Sequence, residues 1–128
     1  MATYIPTKAM AEAAAQALRI RDTRPPSQQG LTLVGLNRAR DLIARRPLSE
    51  DTVRRMKAFF DRHEIDKQAS TWADKGKGWV SWHAWGGDAG YTWSKDIVKR
   101  LNLLEDRTYS DITDDIAYNK SNRRYIRL

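Results

Sequence analysis

Residues 49–63, SEDTVRRMKAFFDRH, decide the fold. Val53, Met56, Phe60 and His63 recur at i, i+3, i+7 and i+10, and Phe59 widens the stripe. That is the period of a helix buried along one side. Ser49 offers an N-cap oxygen, and Glu50 and Asp51 fall in the first turn, where the macrodipole favours negative charge.

The neighbouring segments read the same way. Upstream, Thr32 can cap a helix over residues 33–46, which Pro47 stops. Leu33, Leu36, Arg40 and Ile43 form its expected inner side, with Ala39 and Leu42 beside them. Residues 7–21 form a leading helix capped by Thr7 and rich in alanine, the best helix former. Its apolar stripe (Met10, Ala14, Ala17, Leu18) is thin, which suits close packing on another helix. Between these two helices, DTRPPSQQGLT (residues 22–32) is a spacer or strap, because Pro25-Pro26 forbid helix and Gly30 ends the stretch.

Downstream, residues 67–78 form a loop, with Trp72 the tryptophan expected to be most exposed. In WVSWHAWGGD (residues 79–88), Trp79, Trp82 and Trp85 recur every three residues, which predicts a short helix whose tryptophans are core. Gly86-Gly87 turn the chain, and Asp88 is placed to cap a final helix over residues 89–104 with Trp93, Ile97, Leu101 and Leu104 as its inner stripe. The expectation is an all-α protein of four to five helices: an N-terminal helix and linker (1–31), a helical core (32–105) and an extended C-terminal arm (106–128).

Composition agrees with one small globular domain. The chain has 128 residues, 41% hydrophobic and 30% charged. It has no cysteine, which excludes disulfides, thiolate metal sites and thiol catalysis. No apolar run approaches a membrane span. Net charge is +7, which favours a polyanionic neighbour. The surplus is greatest in residues 32–67, and Arg38, Arg45, Arg54, Arg55 and Arg62 are the expected sequence-independent phosphate contacts. The helix-turn-helix-like spacing of the second and third helices does not favour reading of bases, since Glu50 and Asp51 would face the DNA.

Sites of chemistry are sparse. His63, Glu64 and Asp66 are ligand types, but H-E-x-x-H needs a second histidine at position 67, which is lysine. His63 therefore reads as closing its helix's apolar face, hydrogen-bonded to a carboxylate. Together with Phe60, Trp79, Trp82, Trp85, Asp88 and Trp93 it makes the expected structural core. No catalytic residue, metal ligand or cofactor is expected. Gly-Gly-Asp before a helix could receive a phosphate, but Asp88 would repel it and use the same donors. In the arm, Tyr109, Tyr118 and Tyr125 stand apart in a polar chain that ends on Arg123, Arg124 and Arg127. Such a segment buries little on its own domain and more across a partner surface. It is either a subunit-docking strap or a polyanion-touching end.

Several stretches resemble a family of small phage and prophage proteins found near head and virion genes or as modules of larger virion proteins. These are RPPSQQGLT (24–32), RARDL (38–42), TVRRM (52–56), FFDRHEIDK (59–67), GKGW (76–79) and WGGDAG (85–90), within residues 24–100. The resemblance carries no catalytic assignment. It implies a non-enzymatic, head-associated structural component in multiple copies, bound to coat or connector subunits. It places the protein in the virion, and in the host cytoplasm during assembly. The other reading of the residues is an accessory protein that binds nucleic acid without sequence preference.

Overall fold

The computed structural model describes the backbone of residues 2–121 and the side chains of residues 2–105. The arm residues Tyr109, Tyr118, Arg123, Arg124, Tyr125 and Arg127 lie outside the residues whose side chains are described. The protein is all-α. The helices are α1 (Lys8–Asp22), α2 (Leu33–Ile43), α3 (Glu50–His63), α4 (Lys77–Ala84) and α5 (Gly87–Ser121). Two short strands, β1 (Thr3–Tyr4) and β2 (Leu48–Ser49), pair antiparallel with Thr3 opposite Ser49 and Tyr4 opposite Leu48. Short 3-10 turns occupy Pro26–Gln28 and Glu64–Gln68. The chain divides into two compact units, Met1–Lys95 and Asp96–Leu128.

In the first unit, α1 is central rather than a leading appendage to a core that begins at residue 32. It packs on α4 and α2, and Met10, Ala14 and Ala17 are fully buried. Small side chains allow this approach, and Ala contributes helix propensity at the same positions. Thr7 caps α1, its Oγ accepting from the Met10 amide at 3.2 Å. The residues before it are also tied down: β1 pairs with β2, and the Arg45 Nε donates to the Pro6 carbonyl at 2.8 Å.

α2 corrects the expected inner side. Its buried residues are Gly35, Ala39 and Leu42, whereas Leu33 is 71% exposed and Val34 59%. The buried side is the flank expected beside the stripe, Ala39 and Leu42, together with Gly35. A Cβ on Gly35 would stand 3.3 Å from the Trp85 Nε1. The helix also stops early, at Ile43. Arg45 is left-handed (φ 50), and the amides of Arg45 and Arg46 bond to the carbonyls of Leu42 and Asp41 at 3.0 Å each. This is a Schellman ending built without glycine.

α3 matches its reading. Ser49 Oγ accepts from the Thr52 amide at 3.2 Å, and Val53, Met56, Phe59 and Phe60 are buried. α4 buries Trp79, Val80, Trp82 and Ala84. Trp82 meets Phe60 edge-on at 4.8 Å between ring centroids, and Phe60 stacks on Tyr91 at 5.2 Å. Gly86 (φ 118) and Gly87 (φ 66) then reverse the chain into α5, a conformation that L residues resist.

α5 is one helix through Ser121, longer than the expected 89–104, because nothing in residues 105–121 breaks it: no proline or glycine occurs there. In its first turns Ser94 is fully buried and Trp93 half-buried. In the second unit Ile97 and Val98 are buried, Leu101 is half-buried and Leu104 is exposed. The buried side therefore keeps Ile97 and Leu101 of the expected stripe, adds Ser94 and Val98, and leaves Leu104 out.

Two substitutions test this packing. Trp82→Ala should cost about 3–5 kcal/mol, the usual range for truncating a large buried aromatic. Gly87→Ala should cost about 1–2 kcal/mol for its left-handed backbone, plus the contact of the new methyl with Ala13 Cβ at 3.2 Å. Chemical denaturation reads both; a Trp82→Ala variant with unchanged midpoint would remove Trp82 from the core.

Candidate functional site

The 24–32 segment folds back over the first unit as a strap. Arg24 donates to the Asp74 carbonyl at 2.7 Å, the Gln29 amide donates to the Arg24 carbonyl at 3.0 Å, and Arg21 Nε reaches the Gly30 carbonyl at 3.4 Å. Gly30 (φ 69) and Leu31 (φ 67) are both left-handed. This bend leads the chain to Thr32, whose Oγ caps α2 by accepting from the Gly35 amide at 3.1 Å.

Between strap, α3 and α4 lies an open cleft of about 620 Å³. The strap contributes Ser27, Gly30, Leu31 and Thr32; α3 contributes Phe59, Arg62 and His63; α4 and the residue that ends it contribute Lys77, Ser81 and Trp85. No acidic side chain lines it. Its wall is an aromatic stack. Phe59 lies parallel to Trp85 at 4.3 Å and 9°, and His63 covers Phe59 at 4.5 Å. Arg62 is exposed. Neither Arg62 nor Lys77 has a carboxylate partner among the described residues.

This corrects the expected arginine surface. Of the five arginines, only Arg62 belongs to the cleft. Arg38 is 14% exposed and ion-pairs with Asp41 at 3.3 Å; it also lies 5.7 Å over the Trp85 ring. Burial pulls its pKa down, against the pull of Asp41, and the nearby Arg55 adds to the lowering. Its Nε is buried without a hydrogen-bond partner. Arg45 anchors Pro6. Arg54 pairs with Glu50 at 3.6 Å, and Arg55 is exposed on α3.

The expected core residues also divide. Phe60, Trp79 and Trp82 are buried. Trp85 and His63 are half-buried, because they form cleft wall and rim. His63 Nδ1 lies 3.1 Å from Asp66 Oδ2, the carboxylate partner expected for it. Trp72 is half-buried too, edge-on to Trp82 at 6.3 Å. Asp88 is neither core nor the residue before α5. It is the second residue of that helix, with its side chain 78% exposed. Its Oδ1 accepts from Lys67 at 2.7 Å and from Trp82 Nε1 at 2.9 Å. It satisfies the one polar atom of the buried indole from the surface. Among the described residues no three His, Asp or Glu side chains converge as a metal site, and no helix is long and apolar enough to cross a membrane.

Sequence reading missed Lys77, Ser27 and Ser81 altogether. Lys77 is one of two lysines in a Lys/Gly stretch, and the strap's left-handed Gly30 lies against it. No family model, curated protein or solved structure matches the chain.

Two carboxylates link the fold to pH. Lys67, then Trp82, hold Asp88 below the usual carboxylate range against its desolvation. Lys57 and Tyr91 do the same for Asp61, and the Asp61 carboxylate in turn helps push Tyr91 up to about 12. A depressed folded pKa contributes stability that is present above the unfolded value, about 3.9 for aspartate, and is lost as pH falls through the folded value. Thermal midpoints should therefore drop on acidification below about pH 4. The Asp61→Asn/Asp88→Asn double variant should show a shallower drop. An identical acid limb in both proteins would mean these pairs do not respond to folding.

Proposed function

We propose that the chain is a non-enzymatic, head-associated structural protein of a bacteriophage particle, present in multiple copies and bound to coat or connector subunits. It resides in the virion, and in the host cytoplasm during assembly. The motif resemblance within residues 24–100 supports the phage setting. The observation that carries the binding role is apolar exposure. Leu33 and Val34 are adjacent at the start of α2 and mostly open to solvent, and Ile65 after α3 is 63% exposed. Single exposed aliphatics are ordinary, but an adjacent pair at a helix start offers a subunit a place to bury apolar area. The arm, with Tyr109, Tyr118, Arg123, Arg124, Tyr125 and Arg127, supplies the second contact. A second reading, an accessory protein that binds nucleic acid, is favoured by the acid-free cleft.

Particles purified from the phage or induced prophage that encodes the chain provide the test. Quantitative mass spectrometry should find the chain in several copies per particle. Leu33→Gln/Val34→Gln, on an exposed first turn, should keep the thermal midpoint within about 0.5 kcal/mol of stability and lower the copy number. Deleting residues 106–128 should lower it further. Absence of the wild-type chain from purified particles would overturn the structural role in favour of the accessory one.

A further inference from the structure

We propose that the cleft between residues 26–32, α3 and α4 is a nucleotide site, in which Arg62 and Lys77 hold a phosphate and the wall of Trp85, Phe59 and His63 takes the base. Four observations converge on it. The lining has two lysine or arginine side chains and no acid, and the carboxylate beside it, Asp66, is engaged by His63 at 3.1 Å. Several cations of the first unit already have an anion: Arg38 and Arg46 share Asp41, Lys57 has Asp61 and Lys67 has Asp88. Arg62 and Lys77 do not, which leaves their charge for a ligand.

The third observation is the hydroxyl set. Ser27, Ser81 and Thr32 stand around the opening. The Thr32 Oγ accepts the Gly35 amide, and its own O–H remains able to donate. α2 begins at this rim, and its macrodipole adds to the positive potential. The fourth is the wall. A bare phosphate or a carboxylate peptide would use the cations alone. A nucleotide uses both halves of the lining, charge on one side and stacked rings on the other, as in single-strand sites. The His63 ring, half-buried at the end of the stack, is the face on which a base continues it.

Size sets the form of the ligand. A volume of about 620 Å³ falls within the usual ~300–1,000 Å³ of small-ligand sites. It admits one nucleotide and excludes a duplex. The nucleotide is free or is one unit of a single strand; the phosphate and base chemistry is common to both. The inference goes beyond the particle role and stands apart from it. Failure to bind leaves particle incorporation intact, and absence from particles leaves binding intact.

The test uses the full chain and a fluorescein-labelled short oligothymidylate, read by anisotropy, with thymidine monophosphate and inorganic phosphate as competitors. The wild type should bind. The Arg62→Ala/Lys77→Ala variant, with its melting curve unchanged, should bind roughly tenfold or more weakly, as loss of two charge-assisted contacts implies. Its salt slope should fall by about 0.7 for each phosphate no longer neutralised. Lys8→Ala/Arg19→Ala, which removes the same charge from exposed positions on α1, should bind as the wild type does. His63→Ala should weaken binding without changing the salt slope, the mark of a lost stacking contact. Competition by thymidine monophosphate assigns a free nucleotide, and competition by the unlabelled strand alone assigns a single strand. Four results would each overturn the site: no binding by the wild type, equal loss in the α1 control, inorganic phosphate competing as well as thymidine monophosphate, or a duplex binding with the same dependence on Arg62 and Lys77.

Discussion

The first unit depends on how closely α1 can approach the turn between α4 and α5. At Gly87 a Cβ would stand 3.2 Å from that of Ala13, and at Gly86 it would stand 3.5 Å from the Met10 Cγ. Both glycines also hold positive φ. Two requirements, a reversed chain and an unobstructed surface, thus fall on the same pair of residues. The alanines of α1 answer them from the other side. Gly90 extends the same constraint inward, since a Cβ there would meet the Trp85 carbonyl at 2.9 Å and the Phe60 ring at 3.2 Å. The turn therefore positions α4 against α1 and seats Phe60 beneath Trp82.

From this follows the position of the aromatic wall. Trp82 points into the core, and Asp88, carried just beyond the turn, satisfies its indole N–H. Trp85, three residues later, is the residue that ends this short helix and stacks on Phe59. The short helix and the residue that ends it thereby supply both a core residue and a cleft residue. The charge distribution follows as well. Local pairs on α2 and α3 offset much of the arginine surplus, and what remains unpaired beside the wall is Arg62 and Lys77.

Much of this scaffold is legible in the sequence, and what is not has physical causes. The caps at Thr7, Thr32 and Ser49 are visible because each is a hydroxyl residue ahead of a helical pattern. The α3 stripe is visible because Met, Val and Phe repeat at helical spacing. α2 misleads in part because two of its buried residues, Gly35 and Ala39, are small, so Leu33 and Ile43 mark an exposed side while Leu42 marks the buried one. The strands β1 and β2 are two residues each, too short to carry a period. The five-arginine surface dissolves because sequence shows charge but not pairing, and Arg38 and Arg45 spend theirs on Asp41 and the Pro6 carbonyl. The cleft is the least legible feature, since it depends on where the strap bends.

That bend bears on what the cleft can do. Leu31 is a branched residue in a left-handed conformation, which costs on the order of 1–2 kcal/mol. Such a conformation persists only where its surroundings over-determine it. Here they do: Arg21 holds the Gly30 carbonyl, Arg24 ties the strap to the 69–76 loop through Asp74, and Gln29 closes back on Arg24. The Leu31 side chain rests where a Cβ on Gly35 would meet it at 3.1 Å. The strap is thus fixed at both ends and in the middle by the protein alone. A ligand entering beneath it does not have to order the rim, so its binding energy is not reduced by loop-ordering entropy. A preformed, acid-free rim is also selective by shape. It favours a planar group that reaches the wall over a flexible anion that reaches only the cations.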